Sequence, residues 1–147
     1  MATLNRALAT LRVFGDDLQP DEISRLLGVK PSRSHCKGDV LSDRTGRIAK
    51  VGMWRLEATP MEPSDFNGQV ASLLGSLTQD LITWANLADR YDVSLFCGWF
   101  MDEGNEGEDI SPSTLLALGS RHIGLALDIY GPDGSSKNAA VPGEEEP

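Results

Sequence analysis

The side chains most able to bind or transform a ligand are concentrated between positions 30 and 55. This window contains seven lysine or arginine residues and two acidic residues, whereas the rest of the chain is strongly acidic. Near its start, Arg33, His35 and Lys37 can bind a phosphate or a carboxylate through charge and hydrogen bonds. The alternative is that these charges are solvated, or that they neutralise the acidic surface beside them.

Three aspartates are candidates for acid or base chemistry on a ligand held by these basic side chains. Asp16 and Asp17 follow the end of a predicted strand, and Asp128 lies in the last predicted strand. Asp16 and Asp17 also have a structural explanation, because aspartate accepts hydrogen bonds from turn amides and favours the start of a helix. The pair is therefore either part of a site or ordinary turn chemistry.

The sequence contains none of the motifs that identify a catalytic centre. It has no glycine-rich phosphate loop, no nucleophile elbow and no paired-carboxylate arrangement. Its two cysteines, Cys36 and Cys97, are far apart, and His35 beside Cys36 lacks a second ligand pair at metal spacing. We therefore predict no catalytic residue, no metal site and no cofactor. Because a site can also be assembled from distant residues, the sequence leaves open whether the chain is an enzyme.

The charge pattern limits the partners that the protein can have. The formal net charge of -9 repels polyanions, which disfavours nucleic acid as a partner. The N-terminal segment lacks the pattern of a signal peptide, and no apolar run approaches the roughly 20 residues of a membrane span. With only two cysteines in addition, the sequence favours a reduced, cytoplasmic protein that does not bind membranes.

Hydrophobic periodicity predicts the elements that must position these residues. Strands are predicted at 7–14, 51–58, 93–101 and 122–130. Helices are predicted at 20–27 and 110–120, and the apolar stripe between residues 66 and 91 predicts either one helix or two consecutive helices at about 66–75 and 78–90. The first helix is clearly bounded, because Pro20 suits its first position and Gly28 suits its end. The segment 30–50 has no period and is predicted to be a long surface loop.

This order of elements predicts an α+β fold. We expect a two-layer sandwich with a mixed sheet of about four strands and with helices mainly on one face. The length suits a single domain, which we place at residues 1–131. The composition of residues 132–147 predicts a disordered acidic tail.

Four segments carry a resemblance to a known family. They are LRVFGDDLQPDEISRLLGVKPSRSHCKGD, GMWRL, LITWANLADRYDVSLFCGWF and ISPSTLLALGSRHIGLALDIY. Together they resemble, over roughly positions 8 to 131, a family of mostly bacterial domains of unknown function, DUF4279. The chain departs from the family pattern at Gln19, where a capping aspartate is expected before the proline. The resemblance implies no reaction, so it identifies no catalytic residue.

The sequence supports two functional hypotheses of different class. The first is a non-catalytic protein-binding module, immunity-like or inhibitory, because the chain is small, acidic and without catalytic motifs. Acidic surfaces of this kind meet basic partners through complementary charge. The second is a domain that binds a small anionic molecule through the basic window 30–55, with or without enzymatic activity. In that case the anion is received by Arg33, His35 and Lys37, and the three aspartates named above supply acid or base function.

Overall fold

A computed structural model describes residues 2–3, 6–61 and 65–132, which form four helices and nine strands. The strands are β1 (Ala2–Thr3), β2 (Arg6–Gly15), β3 (Arg33–His35), β4 (Val40–Ser42), β5 (Arg47–Ile48), β6 (Gly52–Glu57), β7 (Asp92–Phe100), β8 (Glu106–Gly107) and β9 (Gly124–Tyr130). The helices are α1 (Pro20–Leu27), α2 (Phe66–Gly75), α3 (Leu81–Arg90) and α4 (Pro112–Ser120). Each helix lies within three residues of its predicted bounds.

Five of these strands form one sheet, in the order β3-β6-β2-β7-β9. All neighbours in it are antiparallel except β7 and β9, which run parallel. The chain passes from β7 to β9 through α4, in keeping with the long connection that parallel strands require. The predicted α+β fold with a mixed sheet is confirmed, and this sheet has one strand more than expected.

Strand β2 lies at the centre of the sheet and separates its two faces. Ala9, Leu11 and Val13 are buried in one core with apolar side chains from all four helices. The residues between them point to the opposite side, which the described helices leave uncovered. We call this side the open face. Its β2 residues are Leu8, Thr10, Arg12 and Phe14, and the residues in register with these on the neighbouring strands complete it.

Helix α1 shows how local sequence sets the bounds of an element. Pro20 and Asp21 lie in its first turn, where a fixed φ and an acidic side chain are both favourable. Gly28 ends the helix in the left-handed conformation, at φ 91°, and its N–H donates to the carbonyl oxygen of Ser24 at 2.8 Å. Gln19 precedes the helix and makes no side-chain cap hydrogen bond.

The segment 30–50, predicted to be one long loop, contains three strands, and that prediction is wrong. Strand β3 pairs with β6, and β4 pairs with β5 in a hairpin. Each of the three is two or three residues long, too short to show a period. Main-chain hydrogen bonds hold the base of the hairpin, such as the one from Gly38 N–H to the oxygen of Ala49 at 2.9 Å. Most side chains of β3, β4 and β5 are exposed, so apolar periodicity carries no sign of them.

Two further expectations concern the ends of the chain and the membrane. The predicted disorder of the tail falls, from residue 133 onward, outside the described residues. Among the helices of the described ranges, none has both the length and the apolar character that a bilayer crossing requires.

Replacing Ser24 by alanine tests the link between α1 and the sheet. The indole N–H of Trp54, a buried residue of β6, donates a hydrogen bond to the Ser24 hydroxyl at 3.0 Å. Ser24→Ala leaves that donor unsatisfied, so we expect urea denaturation to show a free energy of unfolding lower by about 1–3 kcal/mol. Ser72→Ala is the matched control, because Ser72 is exposed in α2 and the change brings the same gain in helix propensity. Equal stability of the two variants would show that the hydrogen bond contributes nothing.

Candidate functional site

Three arginines lie directly opposite one another across the open face. The register pairs Arg33 of β3 with Arg55 of β6, and Arg55 with Arg12 of β2. Side chains paired in this way point to the same face, with Cβ atoms about 4.5–5.5 Å apart. We call Arg33, Arg55 and Arg12 the arginine row. Like charges directly opposite each other are destabilising, so the row is unfavourable unless a negative group neutralises it.

Arg12 is the inner end of the row, on the central strand. Its guanidinium lies over the ring of Phe96, 4.5 Å from the centroid, and over the ring of Phe14, at 5.2 Å. Its Nε atom is buried and has no hydrogen-bond partner among the described residues. Burial, followed by the charge of Arg55, lowers the pKa of Arg12, and Asp92 acts in the opposite direction. The rings therefore position a guanidinium that still has an unused donor.

Arg55, in the middle of the row, has the same unused donor. Its Nε atom is also buried without a hydrogen-bond partner among the described residues. Within the described ranges, the ion pairs that form do not include any member of the row. A buried donor without a partner costs free energy, and a bound acceptor recovers that cost. Both features favour an anion at this place.

A groove of about 640 Å³ lies beside the outer part of the row. Arg33 and Arg55 line it from the sheet, and Arg47 lines it from the β4–β5 hairpin. Its other polar lining residues are Ser34, His35 and Asp39. Three guanidinium groups against one carboxylate give the groove a positive potential, which raises the local concentration of anions.

The structure brings two of the three predicted basic residues into this groove. Arg33 and His35 both line it, at the two ends of β3. Lys37 lies beyond the end of that strand, where its Nζ atom is 3.7 Å from Oδ2 of Asp16. Lys37 and Asp16 are thus partners in an exposed ion pair outside the groove, which in general contributes little to stability.

The other two predicted aspartates also lie away from the groove. Asp17 is in the turn after β2, with Oδ2 at 4.0 Å from a guanidinium nitrogen of Arg90. Asp128 is on β9, at the opposite edge of the sheet, and its Oδ2 accepts a hydrogen bond from the Tyr130 hydroxyl at 2.7 Å. Neither is among the residues that line the groove.

Sequence reasoning did not single out Arg12, Arg47 or Arg55. Arg47 and Arg55 lie in the basic window, and Arg12 alternates with the buried residues of β2, so the sequence alone shows that each is a polar position. It does not show the register of the strands, which decides which of these positions are neighbours. Only the pairing of strands that are distant in sequence shows that Arg12 and Arg55 are neighbours.

The described residues contain few groups that could transform a ligand. No cluster of three or more His, Cys, Asp or Glu residues in the described ranges is arranged to hold a metal ion. Cys97 is buried in the core, and burial raises the pKa of its thiol to about 12, so the thiol is protonated at neutral pH. What the arrangement offers is recognition, because a guanidinium presents paired donors that match the oxygens of a carboxylate or phosphate.

The family model of DUF4279, a domain of unknown function, matches residues 3–132 of the chain. The chain belongs to the DUF4279 family. This confirms the resemblance carried by the four sequence segments. Comparison with curated proteins and with solved structures gave no match. The matched range contains the five-stranded sheet, so the arginine row is part of the DUF4279 domain itself.

Replacing Arg55 by glutamine tests whether the arginine row is repulsive in the free DUF4279 domain. Removing the middle charge relieves two like-charge contacts, so we expect the free energy of unfolding to rise by about 0.2–1 kcal/mol in chloride buffer of low ionic strength. Arg25→Gln is the control, because Arg25 is exposed in the last turn of α1, where a positive charge is favourable. The measurement is urea denaturation at low and at high chloride, since salt screens the repulsion and should reduce the difference. A loss of stability in Arg55→Gln at low salt would contradict a repulsive row.

Proposed function

We propose that the DUF4279 domain binds a carboxylate or phosphate group on its open face and does so as a non-catalytic binding module. The observation that carries this proposal is the arginine row, three guanidinium groups in register without an ionic partner among the described residues. Like charges in direct register oppose folding, and the ring contacts of Arg12 offset this at one member of the row. An anionic ligand that bridges two of the guanidinium groups would neutralise their mutual repulsion and accept hydrogen bonds from their unused donors.

The supporting electrostatics are local. The net charge of the chain is -9, yet the groove is lined by three arginines and one aspartate. Electric fields in a groove depend mainly on the nearest charges, because more distant exposed charges are screened beyond about 8–10 Å. An anion therefore meets a positive surface once it is close, while the acidic body disfavours large polyanions.

Binding without conversion fits the inventory of side chains around the row. The residues that line the groove include one histidine, His35, and one carboxylate, Asp39, whose Oδ2 accepts a hydrogen bond from the backbone N–H of Cys36 and not from a nucleophilic side chain. We also propose that the protein acts in the cytoplasm, because its two cysteines, Cys36 and Cys97, are unpaired.

Thermal unfolding with inorganic phosphate tests the proposal. A ligand that binds only the folded state raises the Tm by mass action, and each kcal/mol raises it by about 3–5 °C in a chain of this size. We expect phosphate to raise the Tm above its value in chloride at equal ionic strength. Arg55→Gln and Arg12→Gln should lose most of this rise.

Arg25→Gln is again the matched control for the thermal measurement. Phosphate also stabilises folded proteins in general through exclusion from their surface, and that part is common to all variants. The readout is therefore the difference between variants. If Arg25→Gln lost as much of the rise as Arg55→Gln, or if no variant differed from the wild type, the open face would not be the binding site.

A second candidate function, protein binding, is favoured by the exposed edge of the sheet at β9. Within the described chain this strand pairs only with β7, so its outer edge has free backbone donors and acceptors. Three apolar side chains of β9 lie on the same face of the sheet as the β7 side chains that contact the core. They are nevertheless largely exposed, at 37% for Leu125, 43% for Leu127 and 52% for Ile129. A long apolar edge of this kind is a template for another strand.

Charge indicates which partner would pair with β9. The loop after β7 contains five acidic residues between positions 102 and 109 and no basic one. It lies next to the end of β9, where Met101 N–H donates to the carbonyl oxygen of Tyr130 at 3.1 Å. The occupant we propose is an extended segment of another protein that alternates apolar residues and carries basic residues at the end beside this loop.

A synthetic peptide of alternating valine and threonine with two lysines at one end is the probe for this candidate. We expect it to bind the domain, in fluorescence anisotropy, more tightly than the same peptide with two glutamates. Leu127→Lys should abolish binding because a charge on the edge opposes strand pairing. Leu81→Lys, at an exposed position of α3, is the control. Equal affinity for the lysine peptide and the glutamate peptide would contradict the proposal. So would dimerisation of the domain through β9, if it prevented both peptides from binding.

A further inference from the structure

The open face has a second cavity next to the arginine row, and its character is different. It measures about 280 Å³ and its lining is mainly apolar. Leu8 of β2 and the rings of Phe96, Phe100 and Tyr130 contribute to this lining. Arg55 lines both this cavity and the polar groove, so the two adjoin at the middle of the row.

We infer that the ligand of the open face is an amphipathic small molecule, whose anionic group binds at Arg55 and whose apolar part occupies the cavity beside it. This inference rests on the proposed function and specifies its ligand class. Small-molecule sites typically combine an apolar lining with a few placed polar groups, and the two cavities supply these two parts. The aromatic lining favours a planar or aromatic apolar part.

Gly98 of β7 forms part of the floor of the apolar cavity. A glycine inside a strand weakens it and often marks a place where a ligand approaches the backbone. A Cβ atom at this position would lie 3.4 Å from Cε2 of Phe100 and 3.9 Å from Cε2 of Tyr130, which is ordinary contact. The backbone has no positive φ there, so the strand would accept the Cβ atom of an alanine. The absence of a side chain therefore leaves the cavity open without being required by the fold.

The rings at the far side of the cavity are held in place. Phe100 and Tyr130 stack with centroids 4.9 Å apart and planes 7° apart, and the Tyr130 hydroxyl donates to Asp128. Glu57 also lines the cavity and is the one carboxylate among its lining residues. Because Glu57 repels a second anionic group, the apolar part of the ligand should carry no further negative charge.

Binding of phenylpropanoate, compared with propanoate and phenylpropanol, tests the inference by isothermal titration calorimetry on the full chain. The phenyl ring removes apolar surface from water in the cavity, so we expect phenylpropanoate to bind at least about tenfold more tightly than propanoate. Gly98→Val should reduce this ratio to near one, since its side chain fills the cavity. Gly124→Val should preserve the ratio, because Gly124 is a residue of β9 that also lies on the open face but does not line the cavity.

Two further variants separate failure of the inference from failure of the proposed function. Leu8→Ser should lower the ratio by removing an apolar side chain from the lining of the cavity, with Leu116→Ser, at an exposed position of α4, as its control. If propanoate and phenylpropanoate bind equally and both are lost in Arg55→Gln, the amphipathic ligand is wrong and the anion site stands. If phenylpropanol binds as tightly as phenylpropanoate and Arg55→Gln changes neither, the anion site is wrong.

Discussion

The pairing of β2 with β6 is the constraint on which the rest of the site depends. At one end of this pair Gly15 lies opposite Gly52, where the strands approach so closely that a Cβ on Gly52 would lie 2.7 Å from the carbonyl oxygen of Gly15. Three residues further along, the same register places Arg12 opposite Arg55. Shifting one of the two strands by one residue would turn its buried side chains, Leu11 on β2 or Trp54 on β6, away from the helices. The packing of the core therefore fixes the register, and the register fixes the arginine row.

The two faces of the sheet have different physical roles. On the helix side, buried apolar side chains, including Trp54 and Trp84, supply the hydrophobic stabilisation of the fold. On the open face, the like charges of the row and the Nε donors of Arg12 and Arg55, unpartnered within the described ranges, reduce stability in the absence of a ligand, whereas the ring contacts of Arg12 stabilise the fold. Proteins retain such locally unfavourable arrangements mainly at functional sites. The polar groove and the apolar cavity on the two sides of Arg55 are consistent with one ligand that has both characters.

Much of the fold was predictable because its signals are local. Gly28 and Pro20 bound α1, and the alternation of Ala9, Leu11 and Val13 predicted the strand that the structure shows as β2. The segment 30–50 was mispredicted because β3, β4 and β5 are short, exposed and held by main-chain hydrogen bonds, which leave no periodic pattern in the side chains. Of the candidate ligand-binding residues named from the sequence, Arg33 and His35 line the groove, and whether they bind a ligand stays a prediction. Arg12 was missed because its neighbour Arg55 is 43 residues away in sequence, and strand register over such a distance has no local signal.

The central claim is that an anion binds between the guanidinium groups of the arginine row. The most direct measurement is an NMR titration that follows the side-chain Nε–H signals of the arginines in isotope-labelled protein as inorganic phosphate replaces chloride at constant ionic strength. The Nε atoms of Arg12 and Arg55 are buried and lack partners among the described residues. The account predicts that these two signals shift together and saturate, while that of exposed Arg25 does not. Signals of Arg12 and Arg55 that stay unchanged throughout the titration would contradict it.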